Sequence, residues 1–128
     1  MIEPIWLDVD IMIDIHAEQL AMFGGPEGLR DRGLLESALA RAPNKFAYGE
    51  HDIAVLAAAY AFGVSRNHPF IDGNKRAAFA ALLVFLGLND RELNMTPVEV
   101  TVVMLALAAG EIGEDGLARW IGDHLKPV

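Results

Sequence analysis

The chain has 128 residues, of which 53% are hydrophobic and 22% charged, so it has the size of one folded domain and is too apolar to be disordered. It contains no cysteine, which excludes disulfide bonds and thiolate metal sites, and its uncharged stretches are shorter than the roughly 20 residues that a membrane-spanning helix needs. The net charge of −8 and the lack of a basic run longer than Lys75-Arg76 argue against binding to a polynucleotide, but are compatible with a compact phosphorylated ligand.

Helical patterns begin near the N-terminus. Asp8 is placed to cap a first helix that runs to about Phe23, where Gly24-Gly25-Pro26 ends it. A short second helix follows Asp31 and extends to about Arg41. Residues 42–50, which include a proline and a glycine, are typical of a loop or a small hairpin.

Two helices in the middle of the chain are apolar on every face, which predicts that both are buried on every side. They run from about Asp52 to Arg66 and from about Lys75 to Leu88. A fifth helix opens with the capping box that begins at Thr96, and a sixth covers about Asp115 to Leu125. The sequence therefore predicts one cytoplasmic domain over residues 1–128, an all-α six-helix bundle with two buried central helices and, at most, one short hairpin.

The segment that joins the two central helices has the features of an anion site. Gly73 and Asn74 can adopt the positive φ angles that turn backbone N–H groups inward, and the helix that follows adds its dipole and its free amides. Lys75 and Arg76 lie in the first helical turn, where acidic residues are usual, so a bound phosphate would supply the missing negative charge.

Three further residues of this segment complete a candidate reaction site. Asp72 offers an oxygen ligand suited to Mg²⁺ that is also held by phosphate oxygens, and His68 can titrate near neutral pH as a general base does. Phe70 is expected to anchor the segment in the core. Each residue alone has an ordinary structural explanation, such as an N-cap asparagine, so only the combination indicates phosphate chemistry.

The same residues resemble a known family. His-Pro-Phe-x-Asp-Gly-Asn-Lys-Arg, residues 68–76, is similar to the signature of the Fic/Doc family. Gly24-Gly25, residues 31–41 and Ala47-Tyr48 resemble the short Doc, or death-on-curing, branch, which supplies toxins of toxin–antitoxin modules.

The resemblance implies a role for each matching position. His68 would be the general base and Phe70 the buried anchor, while Asp72 would hold Mg²⁺. The phosphates of ATP would be bound by the residues that follow, which are Gly73, Asn74, Lys75 and Arg76. Arg76 would also be catalytic, because with Lys75 it would neutralise phosphate charge during transfer. The segment that contains Lys45, Phe46 and Tyr48 is similar to a flap that docks the target protein.

Two positions discriminate between the reactions known in the family. Adenylylating members carry a glycine where this chain has Lys75 and an arginine where it has Phe79, whereas Doc-type members share the residues of this chain. The resemblance therefore implies transfer of the γ-phosphoryl group of ATP to a Ser or Thr hydroxyl, with elongation factor Tu as the expected target and arrested translation as the result. Gly73 is found in adenylylating members, where Doc often has alanine, so protein adenylylation remains the alternative.

Regulation in trans is also implied. Self-inhibited members carry a Ser/Thr-x-x-x-Glu motif, and no serine or threonine of this chain has a glutamate four residues later. An antitoxin whose disordered tail folds on binding is therefore the expected partner. A non-catalytic member that only binds an antitoxin is a third reading, which the complete set of His68, Asp72, Asn74 and Arg76 disfavours.

Overall fold

A computed structural model describes residues 2–128 and has six α-helices, which confirms the all-α prediction. The only β pairing among these residues is two isolated antiparallel bridges, Leu29 with Phe70 and Leu93 with Leu125. Within residues 2–128, no helix is long and apolar enough to cross a membrane. The helices are α1 (Val9–Phe23), α2 (Arg32–Ala47), α3 (Ile53–Asn67), α4 (Asn74–Leu88), α5 (Pro97–Ala108) and α6 (Glu114–His124).

Short polar side chains fix where four of these helices begin. The carboxylate of Asp8 accepts a hydrogen bond from the Ile11 N–H of α1 at 2.8 Å, and Asp31 and Asp52 cap α2 and α3 in the same way. The Thr96 hydroxyl accepts from the Glu99 N–H at 3.2 Å, with proline in the first turn of α5. These side chains satisfy amides that have no acceptor within the helix, which is why the starts could be predicted from sequence.

Helix α3 is the centre of the bundle and contacts α2, α4, α5 and α6. Small side chains allow this close packing, and the buried alanines of α3 are Ala54, Ala57, Ala58, Ala59 and Ala61. The prediction of burial on every side holds for most of α3, whose apolar side chains are buried except for the half-buried Ile53, Val55 and Phe62. Helix α4 is buried on the face that carries Leu82, Phe85 and Leu86, but several of its other apolar side chains are only half-buried.

The predicted loop or hairpin at residues 42–50 was wrong, because α2 continues through Pro43 to Ala47. Pro43 cannot donate a helical hydrogen bond, yet tertiary contacts hold the last turn in place. The ring of Phe46 packs edge-on against Trp6, with centroids 5.5 Å apart, and Lys45 Nζ lies 3.2 Å from Glu114 Oε2 of α6. The segment expected to form a flap is therefore mostly helical.

Candidate active site

The segment between α3 and α4 begins with a residue in an unusual conformation. His68 caps α3 with φ 47° and ψ 56°, a left-handed conformation that costs a residue with a side chain about 1–2 kcal/mol. Its imidazole is exposed, whereas Pro69 and Phe70 directly after it are buried. The backbone thus turns sharply at His68 and holds its side chain at the surface.

A buried histidine of α1 holds the middle of the segment. The ring of His16 is stacked on the ring of Phe70, with centroids 3.8 Å apart and an angle of 8° between the planes. Its Nε2–H donates to the carbonyl oxygen of Asp72 at 2.8 Å. His16 therefore supports the segment structurally.

The side chain of Asn74 closes the segment on itself. Its Oδ1 accepts from the Phe70 N–H, and its Nδ2 donates to the Phe70 carbonyl, both at 3.0 Å. Both polar atoms of the amide are therefore used within the segment, and the backbone N–H of Asn74 is the group left for a ligand.

The first turn of α4 has free amides and no side-chain cap. Gly73 stands at the N-cap position with φ 76°, and the first helical bond runs from Ala77 N–H to the Gly73 carbonyl at 2.9 Å. The amides of Asn74, Lys75 and Arg76 come before that bond and have no acceptor inside the helix. An anion at this position would receive these donors and the positive end of the helix dipole.

Two cavities meet at His68. One has a volume of about 550 Å³ and is lined by Asn74 and Lys75 of α4 together with residues of α5 such as Val102 and Leu105. The other, of about 430 Å³, lies toward Phe62, Arg66 and Glu114. His68, Ser65 and Ala108 line both. The imidazole therefore lies between a space beside the α4 N-terminus and a space beside α6.

Asp72 is placed to bind a cation only with help from other ligands. Its carboxylate is exposed and lies so close to Gly25 that a Cβ there would be 2.8 Å from Asp72 Oδ2. No group of three or more His, Cys, Asp or Glu residues within residues 2–128 could hold a metal by itself. A single carboxylate beside a phosphate site nevertheless fits Mg²⁺, which usually keeps water and phosphate oxygens as its other ligands.

The side chain of Arg76 lies away from the cavity that Lys75 lines. Its guanidinium carbon lies 4.4 Å from the ring centroid of Phe23, at the end of α1, and it lines neither cavity at His68. Of the predicted phosphate-binding side chains, the structure thus brings Asn74 and Lys75 together with His68 and leaves Arg76 over Phe23.

The residues expected to dock a target are dispersed. Lys45 pairs with Glu114, Phe46 packs on Trp6, and the side chain of Tyr48 is exposed. Lys45 alone of these approaches the cavity beside α6, through Glu114.

A second segment, which was not predicted from the sequence, supports the site. The backbone of residues 28–31 runs beside residues 69–71: Ile71 N–H donates to the Gly28 carbonyl at 3.1 Å, and Arg30 N–H donates to the Pro69 carbonyl at 2.7 Å. The one sequence feature that could have indicated a turn here is Gly28, which has a φ of 121° that glycine adopts readily. No local pattern indicates what such a turn contacts 40 residues later.

Comparison with known proteins matches the sequence of this chain to one family. A model of the Fic/DOC family matches residues 6–86, which include α1 to α3, the 68–76 segment and most of α4. Protein kinase doc of Escherichia phage P1 is 32% identical over 108 residues, 84% of this chain and 85% of that protein. Toxin Doc of Mycolicibacterium smegmatis is 45% identical over 74 residues, 56% of each chain. The chain belongs to the Fic/Doc family.

Proposed function

We propose that this chain is a Doc-type toxin that transfers the γ-phosphoryl group of ATP to a Ser or Thr hydroxyl of a target protein. The observation that carries the proposal is the position of His68 between two cavities, with Lys75 and the uncapped start of α4 on one side. The names of the two relatives, a protein kinase and a toxin, support the same reading.

The nucleotide phosphates bind at the start of α4. The free amides of the first turn donate to phosphate oxygens, and Lys75, which lines the cavity there, neutralises their charge. Arg76 adds its charge only after its guanidinium turns from Phe23 toward the phosphates. Asp72 would hold Mg²⁺, and the ion would supply positive charge at the phosphate oxygens. Phe70 and Asn74 keep the segment in the shape that these contacts need.

His68 acts as the general base. Its unprotonated ring nitrogen takes the proton of the target hydroxyl while that oxygen forms a bond to the γ-phosphorus. The bond between the γ-phosphorus and the bridging oxygen breaks, and ADP leaves with the electron pair. Positioning and electrostatics account for most of the catalysis in such transfers, so one short segment is sufficient.

The target hydroxyl enters through the cavity beside α6. In-line transfer requires that the acceptor approach from the side opposite ADP, and His68 also lines this second space. The ring of Phe62 lies 5.1 Å from the guanidinium carbon of Arg41 and 5.7 Å from that of Arg66. Arg41 and Lys45 both pair with Glu114, and Arg66 adds a further cation to the lining of this cavity, so the acceptor segment carries an acidic residue near its hydroxyl.

The toxin is restrained by a separate antitoxin, because the chain lacks the inhibitory Ser/Thr-x-x-x-Glu motif. The antitoxin has a disordered tail that folds on this bundle. Translation is the process that is arrested, with elongation factor Tu as the target, and the toxin acts in the cytoplasm.

The test uses ATP labelled separately at the α- and γ-phosphates, incubated with the protein, Mg²⁺ and a bacterial lysate. The control is His68→Asn, since asparagine tolerates the left-handed conformation of His68 but is no base. Label that enters a protein band from γ-ATP, and not with the variant, supports the kinase and identifies the target. Label from α-ATP alone indicates adenylylation and contradicts the proposal, as does transfer by the variant at the normal rate.

A further inference from the structure

We infer that Arg30 is a positioning residue that holds the base His68 in its working orientation. Its Nε donates to the carbonyl oxygen of His68 at 2.7 Å, and its Nη2 donates to the carbonyl oxygen of Asn67 at 2.9 Å. Arg30 lies between α1 and α2, 38 residues before His68. The inference rests on the proposed role of His68 as the base.

The two carbonyls belong to the end of α3, where the helix supplies no donors. The next carbonyl, that of Pro69, accepts the backbone N–H groups of Arg30 at 2.7 Å and of Asp31 at 3.1 Å. Two adjacent residues therefore bond three successive carbonyls, at positions 67, 68 and 69. The guanidinium of Arg30 forms no ion pair with any residue of the described chain, so these carbonyls are its partners.

The bonds matter because His68 is left-handed, with φ 47° and ψ 56°. A residue with a side chain keeps this conformation only where its surroundings impose it. Burial of Pro69 and Phe70 fixes the backbone after His68, while the side chain of Arg30 fixes the carbonyl of His68 itself. Without the guanidinium, the carbonyl of His68 loses this restraint, so the φ and ψ angles of His68 can leave the left-handed region, and such a change moves the imidazole away from its place between the two cavities.

The experiment compares Arg30→Gln and Arg30→Lys with Arg32→Gln. Arg32 is the matched control, because it is an exposed arginine two residues away that pairs with Glu36 at 3.2 Å and does not contact the 68–76 segment. A small misplacement of a reacting group costs up to ~100-fold in rate, so Arg30→Gln should lower kcat about 10- to 100-fold. KM for ATP should not change, because the start of α4 is untouched. Arg30→Lys, which can reach one carbonyl, should retain an intermediate kcat.

A second readout does not depend on activity. A residue with positive φ gives a strong NOE between its own amide and α protons, and this signal of His68 should be present in the wild type and in Arg32→Gln. It should weaken in Arg30→Gln. A weakened signal with no transfer even by the wild type would contradict the proposed function and leave the role of Arg30 intact.

Two results would overturn the inference. One is an Arg30→Gln protein with the kcat of Arg32→Gln. The other is an unchanged His68 NOE in Arg30→Gln together with a lower melting temperature, which would make Arg30 a residue that only stabilises the fold.

Discussion

The imidazole of His16 lies parallel to the ring of Phe70, with 3.8 Å between the centroids, and the same imidazole donates to the carbonyl of Asp72. One residue of α1 thus holds both the anchor of the active segment and the backbone of its proposed metal ligand. His16 is also almost fully buried, with 4% of its surface exposed.

Replacement of His16 by alanine should destabilise the protein, because it removes a buried ring and a hydrogen bond. We expect a loss of about 2–4 kcal/mol in the free energy of unfolding, measured by urea denaturation. His16→Phe keeps a ring to stack on Phe70 and should lose only about 1 kcal/mol. Equal losses for the two variants would mean that the stacked ring contributes nothing.

Asn74 should be necessary for the shape of the segment as well as for binding phosphate. Asn74→Ala removes both bonds to the Phe70 backbone and should cost about 1–3 kcal/mol of stability. Asn74→Asp retains the acceptor for the Phe70 N–H but sets its second oxygen against the Phe70 carbonyl, so it should not restore that loss. Thermal unfolding in the absence of nucleotide measures this contribution. An alanine variant with wild-type stability would show that the segment does not depend on these bonds.

The buried hydroxyl of Tyr60 should make the protein less stable at alkaline pH. Burial raises the pKa of Tyr60 from 10.0 to about 12, while the hydrogen bond from the Leu7 N–H to its oxygen opposes the shift. The folded state therefore keeps its proton where the unfolded state has lost it, so stability is complete below pH 10 and falls as the pH rises from 10 to 12. The expected slope is roughly 1.4 kcal/mol per pH unit in that window.

The comparison that isolates this effect is Tyr60→Phe, which should be less stable than the wild type at neutral pH by about 1 kcal/mol and lose less as the pH rises. Tyr48→Phe leaves Tyr60 as the only tyrosine, and its ultraviolet absorbance should then titrate near pH 12. A midpoint near pH 10 would contradict the burial argument.

Charge reversal at the cavity beside α6 should weaken binding of the target protein and leave binding of ATP unchanged. In Arg66→Glu we expect KM for the target protein to rise about 10-fold. The variant replaces a cation that attracts the acidic segment of the target by an anion that repels it. KM for ATP should be unchanged. Arg119→Glu makes the same charge change at an exposed position of α6 and is the control. An equal rise in that variant would point to net charge rather than to this cavity.

The sequence predicted those parts of the fold that depend on neighbouring residues. Asp8, Asp31 and Thr96 cap helices as expected, because a cap and its amide are three residues apart. The apolar composition of α3 likewise predicted a helix buried on all sides. The residue types of the 68–76 segment indicated a site before its shape was known.

What the sequence did not predict depends on contacts between distant residues. His16 lies 56 residues from Asp72, and Arg30 lies 38 residues from His68. Neither contact can therefore be recognised from a local sequence pattern. Pro43 suggested that α2 ends early, but the packing of Phe46 on Trp6 and the pairing of Lys45 with Glu114 outweigh the one hydrogen bond that proline removes.

The 68–76 segment is held in its shape entirely by the protein itself, through His16, Asn74 and the backbone of residues 28–31. A ligand that arrives at the start of α4 therefore does not have to order the backbone that receives it, and little of its binding free energy is spent on conformational entropy.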